Sequence, residues 1–142
     1  MLARKIVIAA SAFAAVLGAG CEKKEEVSFK QAVLPILRES CLACHAPGGQ
    51  GFAVSGFSVE SYDSVMKGTK FARVIVPGSS IESTLVILIE HRADPAINMP
   101  RSVDPAKAKH DEFLTKWKQP QRLPQEQIKV IRAWIDQGAR NN

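Results

Sequence analysis

Cys41, Leu42, Ala43, Cys44 and His45 form one unbroken string, in which two thiols stand two residues apart and an imidazole follows at once. This is the spacing through which a chain attaches haem covalently. Two intervening residues let both thiols reach the vinyl groups along one porphyrin edge, and the adjoining imidazole then falls over the iron. Cys41 and Cys44 are therefore candidate attachment residues for one covalent haem c. His45 is the candidate proximal iron ligand, one of the positions through which a protein sets haem potential. The same residues admit two other readings. A redox-active dithiol of the thioredoxin kind needs a βαβ unit around it, and the residues before Cys41 carry no strand pattern. A structural zinc site needs four closing ligands, and only His91 and His110 could join the string, at no recognisable finger spacing.

The third cysteine, Cys21, belongs to a different chemistry. Residues 1–20 read as a secretory signal peptide, with Arg4 and Lys5 ahead of an apolar run from Ile6 to Leu17 and the small residues Gly18, Ala19 and Gly20 behind it. The run is too short for a retained membrane span. Leu17-Gly18-Ala19-Gly20-Cys21 resembles a bacterial lipobox with its leucine one place early, which makes Cys21 the expected lipidation site. With Cys21 lipidated, Cys41 and Cys44 remain as a pair and no stray thiol is left. The chain is thus expected to be exported and held by lipid on the periplasmic side of a bacterial membrane. Removing Arg4 and Lys5 lowers the formal charge from +5 to +3. Haem propionates would offset most of that, and no basic cluster stands beside stacking aromatics. Nucleic-acid binding is not expected.

These residues need a scaffold, and the pattern around them is helical. Residues 21–27 read as a short charged tether and 28–142 as the domain. Ser28-Phe29-Lys30-Gln31 has the form of a capping box, and Phe29, Val33, Ile36 and Leu37 supply an apolar face leading into Cys41. Pro35 either kinks this helix or starts its regular part. The glycine-rich stretch from Pro47 to Phe57 reads as a flexible loop. A second helix is predicted over Ser58 to Lys67, stopping at Gly68, and a third from Ser79 to about Glu90. A fourth opens at Asp104-Pro105 and places His110, Phe113, Leu114 and Trp117 on one face. The last begins near Pro124, lines up Ile128, Ile131, Trp134 and Ile135, and ends at Gly138. The fold class is all-α, with long loops and no internal repeat.

In this order the residues resemble the small monohaem c-type cytochrome domains, in particular the subset common in planctomycete-like proteins. The matching pieces are Val33-x-Pro35-Ile36-Leu37 with Cys41 to His45, the turn Val76-Pro77-Gly78-Ser79 before Glu82-Ser83, the step Asn98-Met99-Pro100, and the closing Ile131 to Ala139. The resemblance implies a few helices wrapped around one haem, with the first and last packed together. It also implies Met99 as the sixth iron ligand. The function it implies is single-electron transfer between protein redox partners, by a carrier and not an enzyme. A haem subunit of a larger oxidoreductase, or a peroxidase-like or gas-sensing protein with an open sixth site, are the rival readings. Residues 101–122 depart from the pattern as an insertion with six basic and three acidic side chains, a charge able to steer an acidic partner. It brings His110 as a rival ligand and Arg101 as a candidate distal group. Met66 and His91 are further rival ligands, whose simpler readings are core packing and a charge at a helix C-terminus.

Overall fold

The computed structural model describes residues 25–101 and 122–142. The expected signal peptide, Cys21 and the expected helix carrying His110 lie outside them. The described residues contain helices and no strand. The chain enters through a single π-helical turn, Phe29–Val33, and continues without a break as α1, Leu34–Cys41. Ser28 caps this start, its hydroxyl accepting the Gln31 N–H at 3.2 Å. The wide turn answers the question posed by Pro35. Proline lacks an N–H and its ring crowds the carbonyl four residues back. The chain winds with five-residue hydrogen bonds before it, Val33 N–H to Ser28 O at 3.3 Å, and the regular helix starts with Pro35 in its first turn.

The last helix, here α5, spans Gln125–Asp136 and buries Ile128, Ile131, Trp134 and Ile135, the stripe read from its periodicity. It packs on the π-helical turn as expected for first and last helices. The Phe29 ring lies 5.2 Å from that of Trp134 and 5.3 Å from that of Tyr62. Val33, Leu37, Val59, Val65, Val86 and Ile89 complete one apolar core with them. The C-terminal stretch closes over this contact. Gly138 adopts φ 98°, and Asn142 receives the Phe29 N–H at 2.8 Å through its side chain and the Lys30 N–H at 3.0 Å through its backbone. Residues 25–27 are held as well, since Val27 N–H bonds to the Gln137 side chain at 2.7 Å and Glu26 pairs with Arg140 at 3.1 Å.

Three boundaries differ from expectation, each for a local reason. The stretch from Pro47 to Phe57 is not simply a loop, because Gln50–Ser55 forms α2 between Gly49 and Gly56, the latter at φ 71°. The glycines masked the apolar run Phe52-Ala53-Val54. The next helix, α3, is Tyr62–Lys67, capped reciprocally by Ser61 and Ser64, and ends at Gly68 as read. Its start is delayed because residues 57–59 hold His45, with Val59 N–H donating to the His45 carbonyl at 3.0 Å. The fourth helix, α4, is Thr84–Ile89, not a helix from Ser79. Ser80 spends its N–H and hydroxyl on the Asp136 carboxylate of α5, at 2.7 and 3.0 Å. The Val76 to Ser79 turn precedes it, closed by Ser79 N–H to Val76 O at 3.0 Å with Gly78 at φ 87°.

Candidate functional site

Cys41 is the last residue of α1, and the chain keeps turning tightly beyond it. The N–H groups of Cys44 and His45 both donate to the Cys41 carbonyl, at 3.1 and 2.9 Å. This winding brings the thiol-bearing residues and the imidazole to one end of the helix. Both cysteines are half-buried, and no disulfide joins them. Burial, reinforced by the charge of Cys44, pushes the Cys41 thiol up to about 12, which keeps it protonated at neutral pH.

The His45 ring is held from one side by Phe57. Its Nδ1 lies 3.2 Å from the Phe57 carbonyl oxygen. Because a carbonyl only accepts, Nδ1 carries the hydrogen and the lone pair is on Nε2. The Phe57 ring packs edge-on against the imidazole with centroids 5.3 Å apart. Burial lowers the His45 pKa, against the opposing effect of the Phe57 bond, so the ring is neutral at physiological pH. A neutral imidazole with its outer N–H fixed by a carbonyl is the form that ligates metals.

Gly51 stands at the Nε2 edge. A Cβ there would lie 2.8 Å from His45 Cε1, 3.0 Å from Nε2 and 2.9 Å from the Cys44 carbonyl oxygen. Only a residue without a Cβ lets the chain pass this close to the imidazole. Gly49 supports the same turn, since a Cβ at that position would meet the Cys44 carbonyl oxygen at 2.5 Å. The string and the oriented lone pair fit a haem attached through Cys41 and Cys44 with His45 on its iron. The arrangements required by the other two readings are not found among the described residues. No strand flanks the cysteines, and no group of three or more His, Cys, Asp and Glu side chains is placed to hold a metal ion.

Met99 is placed by contacts with α4. Its N–H donates to the Leu88 carbonyl at 3.1 Å, and His91 donates from Nε2 to its carbonyl at 3.1 Å. The loop between is closed internally. Asn98 is buried and exchanges two hydrogen bonds with Ala93, each 3.1 Å, while Asp94 accepts from the Ala96 N–H at 2.7 Å. His91 follows α4 at φ 58°, and its ring serves this loop instead of the end of the helix. Met66 packs against the core at its margin, in keeping with a gap-filling role. Arg101 is exposed, and His110 lies outside the described residues.

Phe57 and Leu88 are not singled out by the sequence, and Gly51 is read there only as one of four loop glycines that let the backbone come close to a flat ligand. Phe57 ends what read as a loop, and Leu88 acts only through its carbonyl. The glycines between His45 and Phe57 were the one available signal, and they do not distinguish a cradle from an ordinary turn.

Residues 41–102 match the family described as Planctomycete cytochrome C. The match begins at Cys41 and takes in His45 and Met99. No curated protein and no solved structure matches the chain.

Proposed function

The chain carries a planctomycete-type cytochrome c domain, and from that premise we propose that it is a monohaem electron carrier, tethered by lipid, that shuttles single electrons between protein partners. A haem-binding role in electron transfer goes with the domain itself. The observation that carries the finer reading is the His45 to Phe57 hydrogen bond, which places the hydrogen on Nδ1 and leaves Nε2 unprotonated. Haem c, when bound, would supply an iron centre that gains and loses one electron.

The chain's own residues do the rest. Cys41 and Cys44 hold the porphyrin edge covalently. His45 is the proximal ligand, and its ring is kept from rotating by the Phe57 carbonyl, which also raises the basicity of Nε2. Met99 is the sixth ligand. It lies within the matched span, and both of its backbone polar groups are tied down. A thioether in that position favours reduced iron relative to a second imidazole and sets a high potential. With His45 and Met99 both holding the iron, the chain would act as a carrier and not an enzyme. Cys21 supplies the lipid anchor, the domain works on the periplasmic side of a bacterial membrane, and its partners are a protein donor and a protein acceptor. No helix among the described residues is long and apolar enough to cross a membrane.

Visible and near-infrared spectra of the purified holoprotein test this reading. The ferric form should be low-spin with a sulfur-to-iron charge-transfer band. Met99→Ala should abolish that band, lower the potential and admit carbon monoxide. A native protein that is already high-spin, or a band that survives Met99→Ala, overturns the assignment.

A further inference from the structure

We infer that His91 is a positioning residue for Met99, clamping the peptide that carries the sulfur; this rests on the reading of Met99 as the sixth iron ligand. His91 was a rival ligand by residue type, but the geometry points to a different task. Its Nε2 donates to the Met99 carbonyl at 3.1 Å while the Leu88 carbonyl takes the Met99 N–H at the same distance. One residue of a long loop is thus held at both backbone polar groups by the end of α4.

The backbone of His91 points the same way. At φ 58° it occupies the left-handed region, which a residue with a Cβ adopts only when its surroundings hold it there. Four contacts do so. His91 N–H bonds to Leu88 O at 3.1 Å, and Arg92 N–H bonds to Ile87 O at 3.0 Å. Glu90, next in line, is gripped at 2.6 Å by Arg92 and at 2.6 Å by Arg132 of α5. The left-handed turn reverses the chain at the end of α4, and the ring meets the Met99 peptide as the loop returns. The Arg132 pair fixes the turn to α5, which packs on the π-helical turn leading into α1. A continuous set of contacts therefore connects the elements bearing His45 and Met99. Preorganisation of this kind limits how far an axial ligand wanders from its position.

His91→Asn tests the clamp, because asparagine tolerates the left-handed backbone while its side chain is too short to reach the Met99 carbonyl. His91→Gln returns a donor at the position of Nε2 and serves as the conservative rescue. The probe is imidazole, which competes with Met99 for the ferric iron of the holoprotein. Loss of one neutral hydrogen bond should raise imidazole affinity by about fivefold in His91→Asn. Exchange of the Met99 amide hydrogen should quicken by about the same factor, and the global unfolding midpoint should move little. His91→Gln should restore most of both. Wild-type imidazole affinity in His91→Asn, or a change only in step with global stability, overturns the inference. So does a Met99 amide that exchanges freely in the unsubstituted protein. The two readings fail separately. A charge-transfer band that survives Met99→Ala defeats the ligand assignment, whereas loss of the band in Met99→Ala with an unaltered His91→Asn defeats the clamp alone.

Discussion

The carbonyl oxygen of Phe57, twelve positions along the chain, accepts the Nδ1 hydrogen of His45 at 3.2 Å. This contact selects one tautomer, fixes the ring plane and leaves Nε2 as the only basic nitrogen. Every chemical expectation attached to His45 depends on it. The stretch between the two residues contains α2, whose packing against Cys44 and His45 is possible only with glycine at 51.

Gly51→Ala measures that dependence. Alanine would favour α2 by about 1 kcal/mol through helix propensity. Its Cβ would meet His45 Cε1 at 2.8 Å and the Cys44 carbonyl at 2.9 Å, one of them backbone that cannot move aside. Overpacking of that kind costs about 1–3 kcal/mol and wins. The expected result is a protein less stable by up to about 2 kcal/mol with less covalently attached haem. Gly78→Ala is the control. Its Cβ meets nothing within 4 Å, but its φ of 87° adds about 1 kcal/mol of backbone strain. Denaturant unfolding should register both changes, and the absorption spectrum only the first.

Glu90 gives a pH signature. Burial raises its pKa, and the hydrogen bonds and charges of Arg132 and Arg92 outweigh that, so it titrates below the ordinary glutamate value of 4.5. A carboxyl with a depressed folded pKa stabilises the fold above its unfolded pKa, and the contribution vanishes as pH falls through the folded value. Both arginines are partly exposed, at 43% and 38%, which limits the effect to about 1 kcal/mol. Wild type should exceed Glu90→Gln by that margin near neutrality, and the gap should close in acid. Urea titrations at several pH values check it.

Asn142 acts as a cap delivered from the far end of the chain. Its side chain accepts the Phe29 N–H at 2.8 Å, a group that the helix start leaves without an internal partner. Asn142→Ala should lower the urea midpoint by an amount equivalent to about 1 kcal/mol. The backbone contact to the Lys30 N–H remains, so the fold and spectrum should be retained.

Cys21→Ala tests the proposed anchor. The protein should move from the membrane fraction to the soluble fraction or accumulate unprocessed, and mass spectrometry of the wild type should find acyl chains on Cys21. More than one chain is expected, because a single one binds a bilayer only marginally. An unmodified mature N-terminus removes lipid from the account.

Local chemistry made much of this protein legible. The Cys41 to His45 string is contiguous, so its meaning needs no tertiary contact. The α5 stripe and the stops at Gly68 and Gly138 follow from periodicity and from the backbone freedom of glycine. Ser28 capped as read because a cap involves only its next three residues. Ser79 and Ser80 failed by the same logic. Their pattern suited a cap, but the Asp136 carboxylate, 56 residues away, offered Ser80 both of its oxygens.

Tertiary structure alone decided how the candidate ligand residues are held. The tautomer of His45 depends on a carbonyl, the close approach of residue 51 to the ring on a missing Cβ, and the seating of Met99 on the Leu88 carbonyl and the His91 ring. Backbone carbonyls are the same in every residue, so their part in a site leaves no mark in the residue types. The identity of His91 was visible, but a histidine near a helix end has several uses. Only the left-handed turn at φ 58°, with Glu90 held by Arg132 from the other end of the domain, directs its ring to the Met99 peptide. Residue type and spacing determine which groups are available for chemistry, and long-range packing determines which atom of each group is left to do it.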